Sequence, residues 1–136
     1  MNTLRDAVFP SVTDILGQVR ALVDGACRSA GCCDECTEQV VLAVNEACMN
    51  IIQHGYRYAT DQTFRIAIFA DESELLVQLL DNGRPAADSD LRPRELDDLR
   101  PGGLGVRFMR EVMDAVAYLP PPAGFANLLQ LTKKIY

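Results

Sequence analysis

The sequence predicts an α/β fold of the α+β kind, and three observations carry that expectation. Two long stretches in the first half space their apolar residues as helices do. Two β-rich runs follow, separated by three turn residues, and a further helix and strand close the chain. The size fits one such domain: 136 residues supply a single hydrophobic core and little more, so 1–136 is expected to form one unit. With 49% hydrophobic and 24% charged residues, the chain can bury enough apolar surface to offset the entropy of ordering.

The first helix is expected over Ser11 to Ala30, where Val12, Ile15, Leu16, Val19, Leu22 and Val23 fall at helical spacing and Ser11 or Thr13 can cap the start. Gly31 breaks that pattern. It resumes from Asp34 to Gln53 with Val40, Val41, Val44, Cys48, Ile51 and Ile52, and Gly55 supplies a stop. Thr63 to Ala70 (TFRIAIFA) and Glu74 to Leu80 (ELLVQLL) flank the turn residues Asp71, Glu72 and Ser73, which predicts an antiparallel hairpin. Asp81 to Gly103 carries Pro85, Pro93 and Pro101 among polar residues and is expected to be a long loop of the lid or binding kind. A third helix is expected over Leu104 to Val116, with Val106, Met109, Val112, Met113 and Val116 on one face. A last strand over Leu128 to Ile135 follows the turn residues Pro120, Pro121, Pro122 and Gly124.

Charge and cysteine usage exclude several classes. Thirteen Lys plus Arg against nineteen Asp plus Glu leave a net charge of −6, so there is no basic surplus to neutralise a phosphate backbone and no direct nucleic-acid binding is expected. Arg5, Asp6 and Pro10 stand where a signal peptide needs an apolar core, and no apolar run approaches bilayer length, so a cytoplasmic protein with no membrane partner is expected. Five cysteines are an odd number, and Cys27, Cys32, Cys33 and Cys36 crowd the junction of the first two helices. Only Cys33 and Cys36 have zinc-ligand spacing and no distant second pair exists, so reduced, buried thiols are expected in preference to a metal site.

Three segments carry candidate chemistry. Glu46, Asn50 and His54 recur at i, i+4 and i+8, drifting only about 80° around a helix axis, so they form one polar stripe able to face one ligand. A lone helical carboxylate is ordinarily a solvated one. Asn50 adds weight, because Asn competes for backbone hydrogen bonds in mid-helix and suits a ligand oxygen or a metal; Ala43 and Ala47 beside it leave a face where something can approach closely. Asp81 and Gly83 end a strongly apolar strand, where a carboxylate can accept from an exocyclic amine, although Asp-Asn-Gly is also an ordinary turn. Gly102, Gly103, Leu104 and Gly105 open the third helix, whose unpaired N–H groups and positive dipole end suit phosphate. No Lys-Ser or Lys-Thr follows, and no strand leads into these glycines, so neither a Walker loop nor a dinucleotide fingerprint is present.

Taken in order, Glu46-Ala47-Cys48-Met49-Asn50 with Ile51-Ile52-Gln53-His54-Gly55-Tyr56, then Asp81-Asn82-Gly83-Arg84-Pro85, then Gly102-Gly103-Leu104-Gly105 with Met113-Asp114, resemble the N box and two glycine boxes of the GHKL (histidine-kinase-like) ATPases. Glu four residues before the Asn, and His-Gly-Tyr closing the helix, resemble the anti-sigma-factor serine-protein kinases within that family. The resemblance implies a two-layer sandwich: a mixed, mostly antiparallel sheet covered on one face by three helices, with ATP between helices and lid. It implies that Asn50 holds Mg²⁺, Asp81 binds the adenine amino group, Gly83 admits the purine, and Gly103 and Gly105 meet phosphates. Gly102 and Leu104 belong to the same phosphate segment, and His54 falls near it. Glu46 would be the general base for a substrate serine. The implied partners are a sigma factor and an anti-sigma-factor antagonist protein, and a homodimer is an allowed assembly. A non-catalytic module that grips a sigma factor is the rival reading, and a detached histidine-kinase ATPase domain is a third. Two stretches depart from the family pattern: Ala86-Ala87-Asp88 stands where many members carry Phe-Asp-Pro, and Gly124-Phe125-Ala126-Asn127 where many carry Gly-Thr.

Overall fold

The hairpin forms the middle of the sheet. In a computed structural model, which describes residues 1–84 and 103–135, strands β2 (Thr63–Ala70) and β3 (Glu74–Asp81) pair antiparallel with Ile66 opposite Leu79 and Ile68 opposite Val77. Asp71 sets the turn: its Oδ1 accepts from Ser73 N and Glu74 N, each at 2.9 Å, which satisfies main-chain donors that would otherwise be free. These bonds also hold the Asp71 carboxyl below its ordinary pKa. Strand β1 (Asn2–Pro10) lies outside β2, while β5 (Asn127–Lys134) and β4 (Ala115–Leu119) extend the other side, giving the order β1-β2-β3-β5-β4. All four pairings are antiparallel.

Alternation along the strands builds one apolar face from Phe64, Ile66, Ile68, Leu75, Val77, Leu79, Leu129 and Leu131, all buried. Helices α1 (Leu16–Ser29), α2 (Asp34–Asn50) and α3 (Gly103–Val112) cover it, contributing Val19 and Val23, then Val40, Val44 and Cys48, then Met109. Each fully buried Val or Leu of this kind contributes roughly 1.5–3 kcal/mol relative to exposure. The opposite face is more polar, with Gln78 donating to Gln130 at 3.1 Å and Arg65 paired with Asp6 at 2.6 Å. The layered arrangement expected from the sequence is therefore present.

Local chemistry explains the helix ends. Gly31, at φ 91°, takes the left-handed conformation that ends α1 cheaply. Cys33 caps α2, its sulfur accepting from Cys36 N at 3.4 Å, and Asp34 and Glu35 complement the helix dipole in the first turn. Arg28 in the last turn of α1 reaches both Asp24 at 2.9 Å and Asp34 at 2.7 Å, tying the two helices at their junction. Cys27, Cys32, Cys36 and Cys48 are buried and Cys33 is exposed, with no disulfide; burial pushes the Cys27 and Cys48 thiols up and holds Cys32 at about 11. These thiols behave as small hydrophobes, and among the described residues no group of His, Cys, Asp or Glu is arranged to hold a metal ion.

Several features differ from the sequence reading. Asn2–Pro10 is a strand with no counterpart in that reading, because it is an edge strand with a register break between Thr3 and Arg5 that spoils its alternation. The third helix stops at Val112, four residues short of Val116. There Asp114 N turns to Thr132 O at 2.9 Å and Ala115–Leu119 joins β5, so cross-strand pairing overrides helical spacing. The face of α2 carrying Ala43 and Ala47 is not open to a ligand: both are buried, and their small side chains serve close packing within the protein. Most of the expected loop after Asp81, with Gly102, lies outside the described residues. Among the described residues no helix is long and apolar enough to cross a membrane.

Candidate functional site

The end of α2 is wound differently from its body. Glu46 and Asn50 are half-buried on the last turns of the α-helix, and Ile51–Gly55 continue it as a π turn. Tyr56 N reaches Ile51 O at 2.8 Å, an i→i+5 bond, and Tyr58 N reaches Ile52 O at 2.8 Å. A π turn holds more residues than an α turn, so His54 swings back toward the line of Glu46 instead of drifting further round. Arg57 (φ 50°) and Tyr58 (φ 64°) then take left-handed conformations that non-glycine residues adopt at a cost, and the helix stops. The His54 ring nitrogen Nε2 is enclosed and has no hydrogen-bond partner among the described residues. A buried polar atom left without a partner is costly, and a ligand oxygen would relieve it.

Asp81 ends β3 in a buried position, opposite Asn127 at the start of β5. Both hydrogen bonds that the Asp81 carboxylate receives from the described residues fall on Oδ1, from Gly83 N at 2.8 Å and from Asn127 Nδ2 at 3.0 Å. Burial pushes the Asp81 carboxyl above its ordinary pKa, while these two donors pull it back. Oδ2 remains an acceptor for a further donor.

The turn after Asp81 is pressed against the end of α2. Arg84 N donates to Gly55 O at 2.8 Å, and a Cβ on Gly83 would stand 2.6 Å from Gly55 C. The need for glycine at 83 is thus met by a protein backbone, ahead of any purine. Gly55 is the meeting point: the place its own Cβ would occupy is 3.8 Å from Asp81 Oδ1 and 4.0 Å from Asn50 O. The end of α2, which carries Asn50 and His54, and the Asp81–Gly83 turn, distant in sequence, therefore meet at one junction. Glu46 stands one turn before Asn50 on the same helix. Gly103, Leu104 and Gly105 form the first turn of α3, which packs along α2; their main-chain N–H groups have no partner within the helix, as at any helix start.

Two buried residues that the sequence reading gave no positioning role hold this junction. The Tyr56 hydroxyl donates to Thr63 O and accepts from Asn82 N, both at 2.7 Å. Asn127 also reaches Arg84 O at 3.2 Å, so one side chain braces both the carboxylate and the turn beyond it. Tyr56 was visible only as the close of the His-Gly-Tyr run. Asn127 was visible only as a departure from a Gly-Thr pattern, and its meaning needs the Asp81–Asn127 register.

Comparison with known proteins places the chain in a family. Residues 9–133 match the family described as the histidine kinase-like ATPase domain. The serine-protein kinase RsbW of Bacillus velezensis is 30% identical over 119 residues, 79% of this chain and 72% of the relative. RsbW of Bacillus subtilis is 30% identical over 118 residues with the same coverage, and the serine/threonine-protein kinase BtrW of Bordetella bronchiseptica is 31% identical over 83 residues, 58% of each chain. One chain of the SiaB–SiaC complex from Pseudomonas aeruginosa shares the fold with a TM-score of 0.66 at 15% identity, covering 98% of this chain and 91% of that one. The matched span takes in α2, the Asp81 turn and the start of α3 together, and on that ground the chain belongs to the histidine kinase-like ATPase domain family.

Proposed function

We propose that this chain is an ATP-dependent serine-protein kinase that phosphorylates an anti-sigma-factor antagonist protein and also captures a sigma factor. The observation that supports this reading is the junction at Gly55, where the end of α2, which carries Asn50 and His54, meets the Asp81 carboxylate and the Gly83 turn. Membership of an ATPase family supports ATP as the donor, and relatives that are serine-protein kinases support serine as the acceptor.

The residues present fit MgATP. The unpartnered His54 Nε2 and the half-engaged Asp81 carboxylate are groups that a ligand with phosphate oxygens at one end and an exocyclic amine at the other would satisfy. Asn50 would hold Mg²⁺ through its side-chain oxygen, and that ion would draw charge from the phosphates and fix their orientation. Asp81 would accept from the adenine amine. Backbone N–H groups at Gly103 and Gly105 would donate to phosphate oxygens, and His54 would meet the phosphate end as well. Glu46 would take the proton of the serine hydroxyl as its oxygen bonds to the γ-phosphorus and ADP departs.

The test is incubation with γ-labelled ATP and antagonist proteins encoded beside this one, followed by mass spectrometry of the acceptor. Label on a serine of one antagonist is the expected result. A protein that binds ATP and a sigma factor yet labels no antagonist would be a binding module, and the kinase reading would fall.

A further inference from the structure

The antiparallel register of β2 and β3 pairs Phe64 with Asp81, and one more step would pair Thr63 with Asn82. That step is not taken. The Tyr56 hydroxyl stands between the two main chains, donating to Thr63 O and accepting from Asn82 N at 2.7 Å each, so it occupies the place of a direct ladder bond. The ring behind it is buried, which fixes the hydroxyl, and burial raises its pKa above the ordinary tyrosine value. Past this wedge the chain leaves β2 and lies on the end of α2, through Arg84 N to Gly55 O and the close Gly83–Gly55 contact.

We infer that Tyr56 is a positioning residue for base recognition: its hydroxyl keeps β2 and β3 from zipping past Asp81, and so holds the carboxylate and the Gly83 turn where they meet a purine's exocyclic amine. This rests on the nucleotide reading above, with Tyr56 acting through Asp81. Without the hydroxyl, Asn82 N–H either closes onto Thr63 O, drawing the end of β3 toward β2, or loses its partner. Both outcomes disturb the base end of the site and leave Asn50 and the start of α3 in place.

The experiment compares the full chain with its Tyr56→Phe variant by NMR titration against three probes: MgATP, adenosine, and magnesium tripolyphosphate. MgATP and adenosine should each bind about tenfold more weakly to the variant, the usual scale for one buried hydrogen bond lost, while tripolyphosphate binds as before. Unchanged adenosine affinity overturns the assignment, and so does an equal loss for all three probes, which is what general loosening would give. Should the variant fail to fold, the unmodified protein decides. Adenosine must then shift the Asn82 amide and Tyr56 ring signals while tripolyphosphate leaves them in place, and the reverse pattern overturns the assignment. An unmodified protein that binds neither MgATP nor adenosine defeats the nucleotide reading itself, whereas normal binding with an indifferent variant defeats Tyr56 alone.

Discussion

Replacing Asp81 by Asn separates recognition of the base from stability of the fold. Oδ1 of Asp81 accepts from two donors, Gly83 N at 2.8 Å and Asn127 Nδ2 at 3.0 Å. An asparagine at 81 must therefore place its carbonyl oxygen there, which forces its NH₂ into the position of Oδ2. A donor then faces the adenine amine. The loss is that of one hydrogen bond to a charged acceptor, about 1.5–3 kcal/mol, or roughly 10- to 150-fold in Kd for MgATP. The ligand-free fold should not suffer, because burial raises the pKa of Asp81, so ionised Asp81 is a cost to the folded state. The sign follows: with a raised folded pKa, the stability contributed by protonated Asp81 is complete below the ordinary aspartate value and is lost as pH rises through the folded value. Asp81→Asn lacks that loss, so its Tm advantage without nucleotide should grow as pH rises through the same window. Calorimetry with MgATP and thermal unfolding across pH read the two effects independently. An Asp81→Asn variant that binds MgATP with unchanged affinity would refute the role of Asp81. One that unfolds far more easily at neutral pH would refute the claim that its charge is a cost.

Two further predictions address the same junction. Asn50→Ala removes an oxygen ligand from a cation that demands near-ideal octahedral geometry, so the gain in ATP affinity on adding Mg²⁺ should disappear; calorimetry with and without Mg²⁺ checks it. Gly83→Ala sets a methyl 2.6 Å from Gly55 C and 2.7 Å from Gly55 O, both main-chain atoms that cannot move aside. The variant should lose about 1–3 kcal/mol of stability, seen as a Tm lower by roughly 3–12 °C, and an unchanged Tm would show that the two backbones separate freely.

Much of the fold was legible in the sequence because local and tertiary preferences agree there. TFRIAIFA and ELLVQLL alternate cleanly about an Asp-led turn, and α2 has both its apolar stripe and its stop at Gly55. Legibility ended where the two preferences conflict. Val116 continues the spacing of Met109 and Met113 as if on a helix, yet pairing of Val116 with Leu131 wins. β1 carries Arg5 and Asp6 in a strand with a register break, and its pairing partner lies some sixty residues away, as the Asp6–Arg65 ion pair shows. At the candidate site, Glu46, Asn50, His54, Asp81 and the glycines stand out in the sequence because each belongs to a spaced motif. The π turn was not, since i→i+5 bonding at Ile51–Gly55 leaves no mark on apolar spacing, and neither were the supporting roles of Tyr56 and Asn127. Those roles depend on which strands pair and in what register.

The central claim, that this chain moves a phosphoryl group to a serine and uses Glu46 to accept the proton, is tested most directly by single-turnover transfer from γ-labelled ATP to the antagonist. The unmodified protein and Glu46→Gln are compared after calorimetry has established that both bind MgATP. Glu46 stands one helical turn before Asn50 and outside the Asp81 junction, so the isosteric change should leave nucleotide affinity in place. The account predicts serine labelling by the unmodified protein and transfer slower by roughly 10²–10⁴-fold in Glu46→Gln, the usual contribution of a general base. Transfer at the original rate in Glu46→Gln, or none from the unmodified protein to any antagonist, would contradict it.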